Sequence, residues 1–322
     1  MDSPIMATKA VILHYGSNDF SDVYQNASRI LDEEYNIRSV CALDNKSLVS
    51  QVKNFQKKYQ KVLLVSHDLL PFDTLKECLF ENVYYFGGQT LSKRHQIQTL
   101  RSYKINVPED IAFPSDIKDV FSKLGNHVIA GPDTYAASSN QLINFLVYDP
   151  VKNKIKYKRA GDDDNSVMFG KFHEMYSYEF TNWNRYYYTK YVGSSGPIYW
   201  RAKIESIFGE YIMGYVMESH ENAPSAPFIR LNESIITEPT ETMISLGKKI
   251  SSIMATEHQC GFISVDMVLD CPPTLATESN IFVVETNLML VGLYYNPFKV
   301  NRSNGIALGC YNFLENHMNC PV

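Results

Sequence analysis

Two apolar runs near the C-terminal end, each broken or closed by an acid, constrain this chain of 322 residues more than any other stretch. Phe262 to Leu269 (F-I-S-V-D-M-V-L) is rich in Val and Ile and has the length of one buried strand, and Ile281 to Val284 is a second. Pro272, Pro273 and Thr274 stand between them and read as a turn, because proline cannot donate to a ladder. The pattern predicts two neighbouring antiparallel strands. Asp266 interrupts the first, and Glu285 with Asn287 ends the second. A carboxylate taken out of water must either protonate or meet a cation. Residues two apart leave the same face of a strand, so Glu285 and Asn287 point together, and strand pairing can bring Asp266 beside them. Two carboxylates and an amide oxygen then meet, an oxygen-only set that suits Mg²⁺ or Mn²⁺. The same letters also fit a solvent-facing strand-end Glu and an Asp satisfied by backbone amides.

The remainder of the chain supplies ample core. At 45% hydrophobic residues it can build two or three compact subdomains, and 22 Tyr with 17 Phe favour thick sheet cores over helical bundles. A formal charge of −5 with scattered Lys and Arg provides no basic field for nucleic acid or an anionic membrane. No apolar run approaches the roughly 20 residues of a spanning helix. Met1 to Lys9 is short and polar, unlike a signal peptide, and the six Cys show no C-x-x-C and no Cys/His cluster. A cytoplasmic protein with reduced thiols and no structural zinc is expected.

In the first third, apolar strands at Ala10–His14, Ile37–Cys41, Lys61–Val65 and Val83–Phe86 alternate with helical stretches at short intervals. That alternation predicts a parallel sheet with crossover helices. Gly87-Gly88 follows the fourth strand, where ligands of such sheets sit, although a tight turn needs the same glycines.

An Asp in an apolar strand, a short break, then apolar-apolar-Glu-x-Asn resembles the C-terminal signature of the ATP-grasp superfamily. The resemblance implies that Asp266, Glu285 and Asn287 hold the Mg²⁺ or Mn²⁺ ions bridging the phosphates of ATP. Other segments fall in the matching order. Lys104-Ile105-Asn106-Val107-Pro108 resembles the exit of the pre-ATP-grasp domain. Tyr186 to Val192 occupies the place of the family's hinge, implying an adenine site at Thr189, Lys190, Tyr191 and Val192, with Val284. The segment from Trp200 to Met217 resembles the hairpin whose Arg, here Arg201, points at phosphate, and Phe228-Ile229-Arg230-Leu231-Asn232 resembles the R-x-N segment that follows it. By that likeness Arg201, Arg230 and Asn232 are the catalytic side chains. Two positions depart: the family's Asp before that Arg is Tyr199 or Trp200 here, and the family's strand that usually ends in Lys-Pro reads Gly131-Pro132. Lys156, Lys158 or Lys171 could restore the charge, although exposed hairpin lysines are the commoner case.

The fold class implied is α/β (α+β), an ATP-grasp fold in three parts. Residues 1–108 form an N-terminal parallel-sheet domain, 109–192 a lid, and 193–322 a C-terminal antiparallel-sheet subdomain with the metal site. The activity implied is ATP-dependent ligation, in which a small-molecule carboxylate is activated as an acyl phosphate and joined to an amine. A small-molecule kinase on the same fold and a non-catalytic nucleotide-binding module are the competing readings. Ligases of this fold are often dimers, so the resemblance also suggests a homodimer.

Overall fold

The computed structural model describes residues 7–16, 21–88, 91–111, 114–131, 133, 144–159, 173–180, 186–193, 198–219, 235–287 and 301–317. The first part alternates β1 (Ala7–His14), α1 (Ser21–Glu33), β2 (Arg38–Ala42), α2 (Asn45–Phe55), β3 (Tyr59–Ser66), α3 (Phe72–Cys78), β4 (Val83–Phe86) and α4 (Lys93–Ser102). Its strands pair in parallel in the order β2-β1-β3-β4. Val62 to Val65 and Ala10 to Leu13 are fully buried, as strands covered on both faces must be. One set of their side chains packs with α1, the other with α2 and α3. Asp44 caps α2 by accepting from the Ser47 amide, which fixes where the chain leaves β2.

A second sheet is antiparallel. It comprises β5 (Asp110–Ile111), then α5 (Ile117–Leu124), β6 (His127–Gly131), β7 (Asn144–Asp149), β8 (Lys154–Arg159), β9 (His173–Tyr176) and β10 (Tyr187–Lys190), in the order β5-β10-β6-β7-β8-β9. Val120, Phe121 and Leu124 of α5 bury its inner face against Val128, Leu146, Ile155 and Tyr188.

The third sheet is built from β11 (Tyr199–Ile207), β12 (Glu210–Ser219), β13 (Ile235–Thr237), β14 (Phe262–Leu269) and β15 (Ile281–Asn287), in the order β13-β12-β11-β14-β15, all antiparallel. β11 and β12 turn through Phe208 and Gly209, both at positive φ (50° and 84°), a two-residue turn whose twist suits a hairpin. Helix α6 (Glu241–His258) covers one face of this sheet, and the other meets the first sheet, α1 and α7 (Arg302–His317). No helix among the described residues is long and apolar enough to cross a membrane.

Candidate active site

Period-two alternation along β11 separates the two faces of the third sheet. Ala202 and Ile204 face α6 together with Val265, Met267 and Val283. The intervening residues Arg201, Lys203 and Glu205 lie on the opposite face, register-paired with Val268, Asp266 and Ser264 of β14. Asp266 pairs in turn with Glu285, and Ser264 with Asn287. The two acids and the amide therefore share a face with an Arg, a Lys and a third acid. The second strand also runs on to Asn287 rather than stopping near Val284. A bulge lies in this ladder, since Asp266 opposes Glu285 while Met267 opposes Val283. Val284 is the extra residue, and it and Glu285 both line the same cavity. Bulges beside sites re-aim side chains in this way.

The ion pairs are specific. Arg201 donates to Asp266 Oδ1, while Oδ2 receives Lys203 Nζ at 3.3 Å and Asn287 Nδ2 at 3.1 Å. Lys93 Nζ, from the first turn of α4, reaches Glu285 Oε1 at 3.1 Å. Burial would push the Asp266 carboxyl up, but the Arg201 guanidinium and then Lys203 outweigh it and hold it below the ordinary carboxylate range. Glu205 behaves oppositely. Burial pushes its carboxyl up to about 7, against the pull of Lys203, Arg302 and His67.

A cavity of about 770 Å³, counting its open mouth, lies between the second and third sheets. Pro108, Ile129, Val192, Val268 and Val284 give it apolar walls, and Lys93, Arg201, Asp266 and Glu285 a charged end. Of the expected adenine residues, Thr189, Lys190, Tyr191, Val192 and Val284 all line it. The Lys190 amide donates to Glu109 O at 2.8 Å and the Tyr191 amide to His127 O at 3.0 Å. A base edge pairing with this strand must therefore use groups other than those two N–H donors.

Gly131 lies in the cavity wall, so the departure from Lys-Pro falls on the cleft itself. Lys156 is exposed and register-paired with Glu174; it is not among the cavity's lining residues. The side chain of Lys158, all of Lys171, and Arg230 with Asn232 lie outside the described residues. Lys93 and Lys203 instead bring positive charge to the acids, and sequence reading singled out neither. Lys203 carried a usable signal: with Arg201 and Glu205 it forms a charged alternation opposite apolar Ala202 and Ile204. Lys93 carried none, because its approach to Glu285 depends on tertiary packing.

The donor set fits a hard divalent ion in kind, since every candidate ligand atom is oxygen. Among the described residues no three His, Cys, Asp or Glu side chains come together, so the Asn287 amide oxygen and the ligand's own oxygens must complete the coordination. Two carboxylates here face three cations, Arg201, Lys203 and Lys93. Such a cluster attracts an anion before a bare cation, so a metal fits best when it arrives already bound to phosphate.

No protein-family description and no curated protein matches the chain by sequence. Solved structures do match over nearly its whole length. The ATP-grasp ligase PsnB complexed with a minimal precursor aligns with a TM-score of 0.51 at 10% identity, covering 94% of this chain and 99% of that one. The macrocyclase MdnC bound with precursor peptide MdnA from Microcystis aeruginosa MRC gives 0.52 at 10% identity, with the same coverage of 94% and 99%. A Chryseobacterium gregarium RiPP-associated ATP-grasp ligase in complex with ADP and a leader and core peptide gives 0.51 at 10% identity, covering 94% and 95%. The chain has the ATP-grasp fold.

Proposed function

We propose that the chain is a cytoplasmic ATP- and Mg²⁺-dependent ligase that joins a carboxylate to an amine. One observation carries the reading: Asp266 and Glu285, paired with Arg201 and Lys93, form the charged end of a cleft with apolar walls, and Lys203 holds Asp266 from beside it. An apolar slot beside a cationic end matches a nucleotide, base first and phosphates last. The partition of the strands into three sheets supports assigning residues 1–108, 109–192 and 193–322 to the N-terminal domain, the lid and the metal-bearing subdomain.

In this reading Val192, Val268 and Val284 flank the base, while Lys93, Arg201 and Lys203 take phosphate oxygens. Arg201 suits the transferring phosphoryl because its planar fork pairs two oxygens and stays charged. Glu285, Asn287 and Asp266 would hold the divalent ion, which when bound supplies charge neutralisation across the phosphate oxygens. A substrate carboxylate oxygen attacks the γ-phosphorus, the bond to the bridging oxygen breaks, and ADP leaves. The amine nitrogen then attacks the acyl carbon, the acyl–phosphate C–O bond breaks, phosphate departs, and the nitrogen loses a proton. Holding the reactants together and screening charge does most of the work.

The test is ADP release from the protein with ATP, Mg²⁺ and a panel of amino acids and short peptides, with hydroxylamine present. A hydroxamate formed from one acid of the panel is the expected result. ADP without hydroxamate contradicts the ligase and supports a kinase. Neither product, with ATP still bound, supports a binding module.

A further inference from the structure

Lys93 and Gln96 leave α4 three residues apart, so their side chains stand on the same side of the helix. Both reach β15, the outer strand of the third sheet, and they take consecutive residues of it. Lys93 Nζ meets Glu285 Oε1 at 3.1 Å, and Thr286 Oγ1 donates to Gln96 Oε1 at 2.5 Å. Consecutive strand residues point to opposite faces. Glu285 stands on the charged face, whereas Thr286 is register-paired with Val265, on the face that packs against α6. The helix thus straddles the outer strand, with one polar contact on each face. The spacings agree, since three helix residues rise about 4.5 Å and one strand residue about 3.3 Å.

The contact on the α6 side is buried and complete. Gln96 is 4% exposed and Thr286 3%. The other end of the amide, Gln96 Nε2, donates to Leu91 O at 3.0 Å, just ahead of the Ser92 cap of α4. A hydroxyl has one proton and an amide oxygen only accepts, so the role of each group is set.

We infer that Gln96 and Thr286 are positioning residues for Lys93, and through it for the phosphate end of the cleft. The inference rests on the ligase reading, in which Lys93 takes a phosphate oxygen, and adds two residues that touch no ligand. Lysine is a point charge on a flexible stem, so its place in the cleft is only as fixed as the backbone that carries it. Arg201 stands on an inner strand of the sheet, but Lys93 stands on the first turn of a helix, where helices fray. The Gln96–Thr286 bond pins that turn to the strand, because breaking it leaves a buried acceptor without a partner.

The experiment measures ATP and adenosine binding by calorimetry, with melting temperatures, in the wild type, Thr286→Val, Thr286→Ser and the double variant Gln96→Met/Thr286→Val. Each is also made in a Lys93→Ala background. Thr286→Val keeps the shape and loses the hydroxyl, so ATP should weaken on the order of 10-fold while adenosine is unchanged. Thr286→Ser should bind ATP as the wild type does. The double variant replaces both partners by apolar groups, so it should melt near the wild type and still bind ATP weakly. It serves where Thr286→Val alone fails to fold. In the Lys93→Ala background none of these changes should lower ATP affinity further, because the residue they position is gone. An equal loss in that background, an equal loss for adenosine, or undiminished ATP binding by the folded double variant would overturn the inference and leave the ligase reading standing. No ATP binding by the wild type, or ATP binding that Lys93→Ala leaves intact, overturns the phosphate role of Lys93 and the inference with it.

Discussion

The two faces of the third sheet are made from the same strands and have little else in common. Toward α6, Ala202, Ile204, Val265, Met267 and Val283 are buried among apolar neighbours. Toward the first sheet, the alternate positions hold Arg201, Lys203, Glu205, Ser264 and Asp266, nearly all as deeply buried. Burial alone therefore does not distinguish core from site. The difference lies in how each face is satisfied, by packing on one side and by opposed charges on the other. One face holds the strands together, and the other places chemistry in a site shielded from water.

The sharpest way to test that contrast is pH. Because burial raises Glu205 from 4.5 to about 7, the folded protein keeps a proton between those values that the unfolded chain has released. The resulting stability is fully present below pH 4.5 and is lost as pH rises through 7, by about 3 kcal/mol. Asp266, whose carboxyl is held low, loses its contribution only as pH falls below the ordinary carboxylate range. Denaturant unfolding from pH 4.5 to 8 should show the wild type declining and Glu205→Gln level. A decline of equal size in the variant would mean that the polar face carries no such cost.

The apolar face should fail through shape rather than charge. A Cβ at Gly247 in α6 would lie 2.3 Å from Ile204 Cγ2. Gly247→Ala should thus cost roughly 1–3 kcal/mol despite its better helix propensity. Adding Ile204→Ala removes the clashing methyl, so the double variant should cost less than the sum of the singles, by more than about 0.5 kcal/mol. Strict additivity in urea unfolding would contradict the close packing of helix on sheet.

Much of this was readable before the fold was known, and the reasons are local. The parallel sheet followed from strands and helices alternating at short intervals, and Asp266 stood out as a charge inside an apolar run. Glu285 and Asn287 followed from a spacing of two. The partners of those acids were less legible. Lys93 reaches Glu285 from the start of α4, distant in sequence, and nothing near it announces the contact. Glu205 drew no notice in the sequence because its cover comes from other elements, with Tyr24 on α1 and Arg302 on α7 among its neighbours. The bulge that turns Val284 into the cleft is a register event, and letters alone do not reveal register. Residues 230 and 232, expected to contact phosphate or substrate, lie outside the described part of the chain.

The central claim is that the acids of the third sheet serve a metal arriving on a nucleotide. Titrating Mn²⁺ into the protein with and without ATP, with bound Mn²⁺ followed by electron paramagnetic resonance, tests it most directly. The account predicts Mn²⁺ binding that depends on ATP and is lost in Glu285→Ala, with adenosine still bound by the variant. Equal Mn²⁺ binding without ATP, or undiminished ATP-dependent binding in Glu285→Ala, would contradict it.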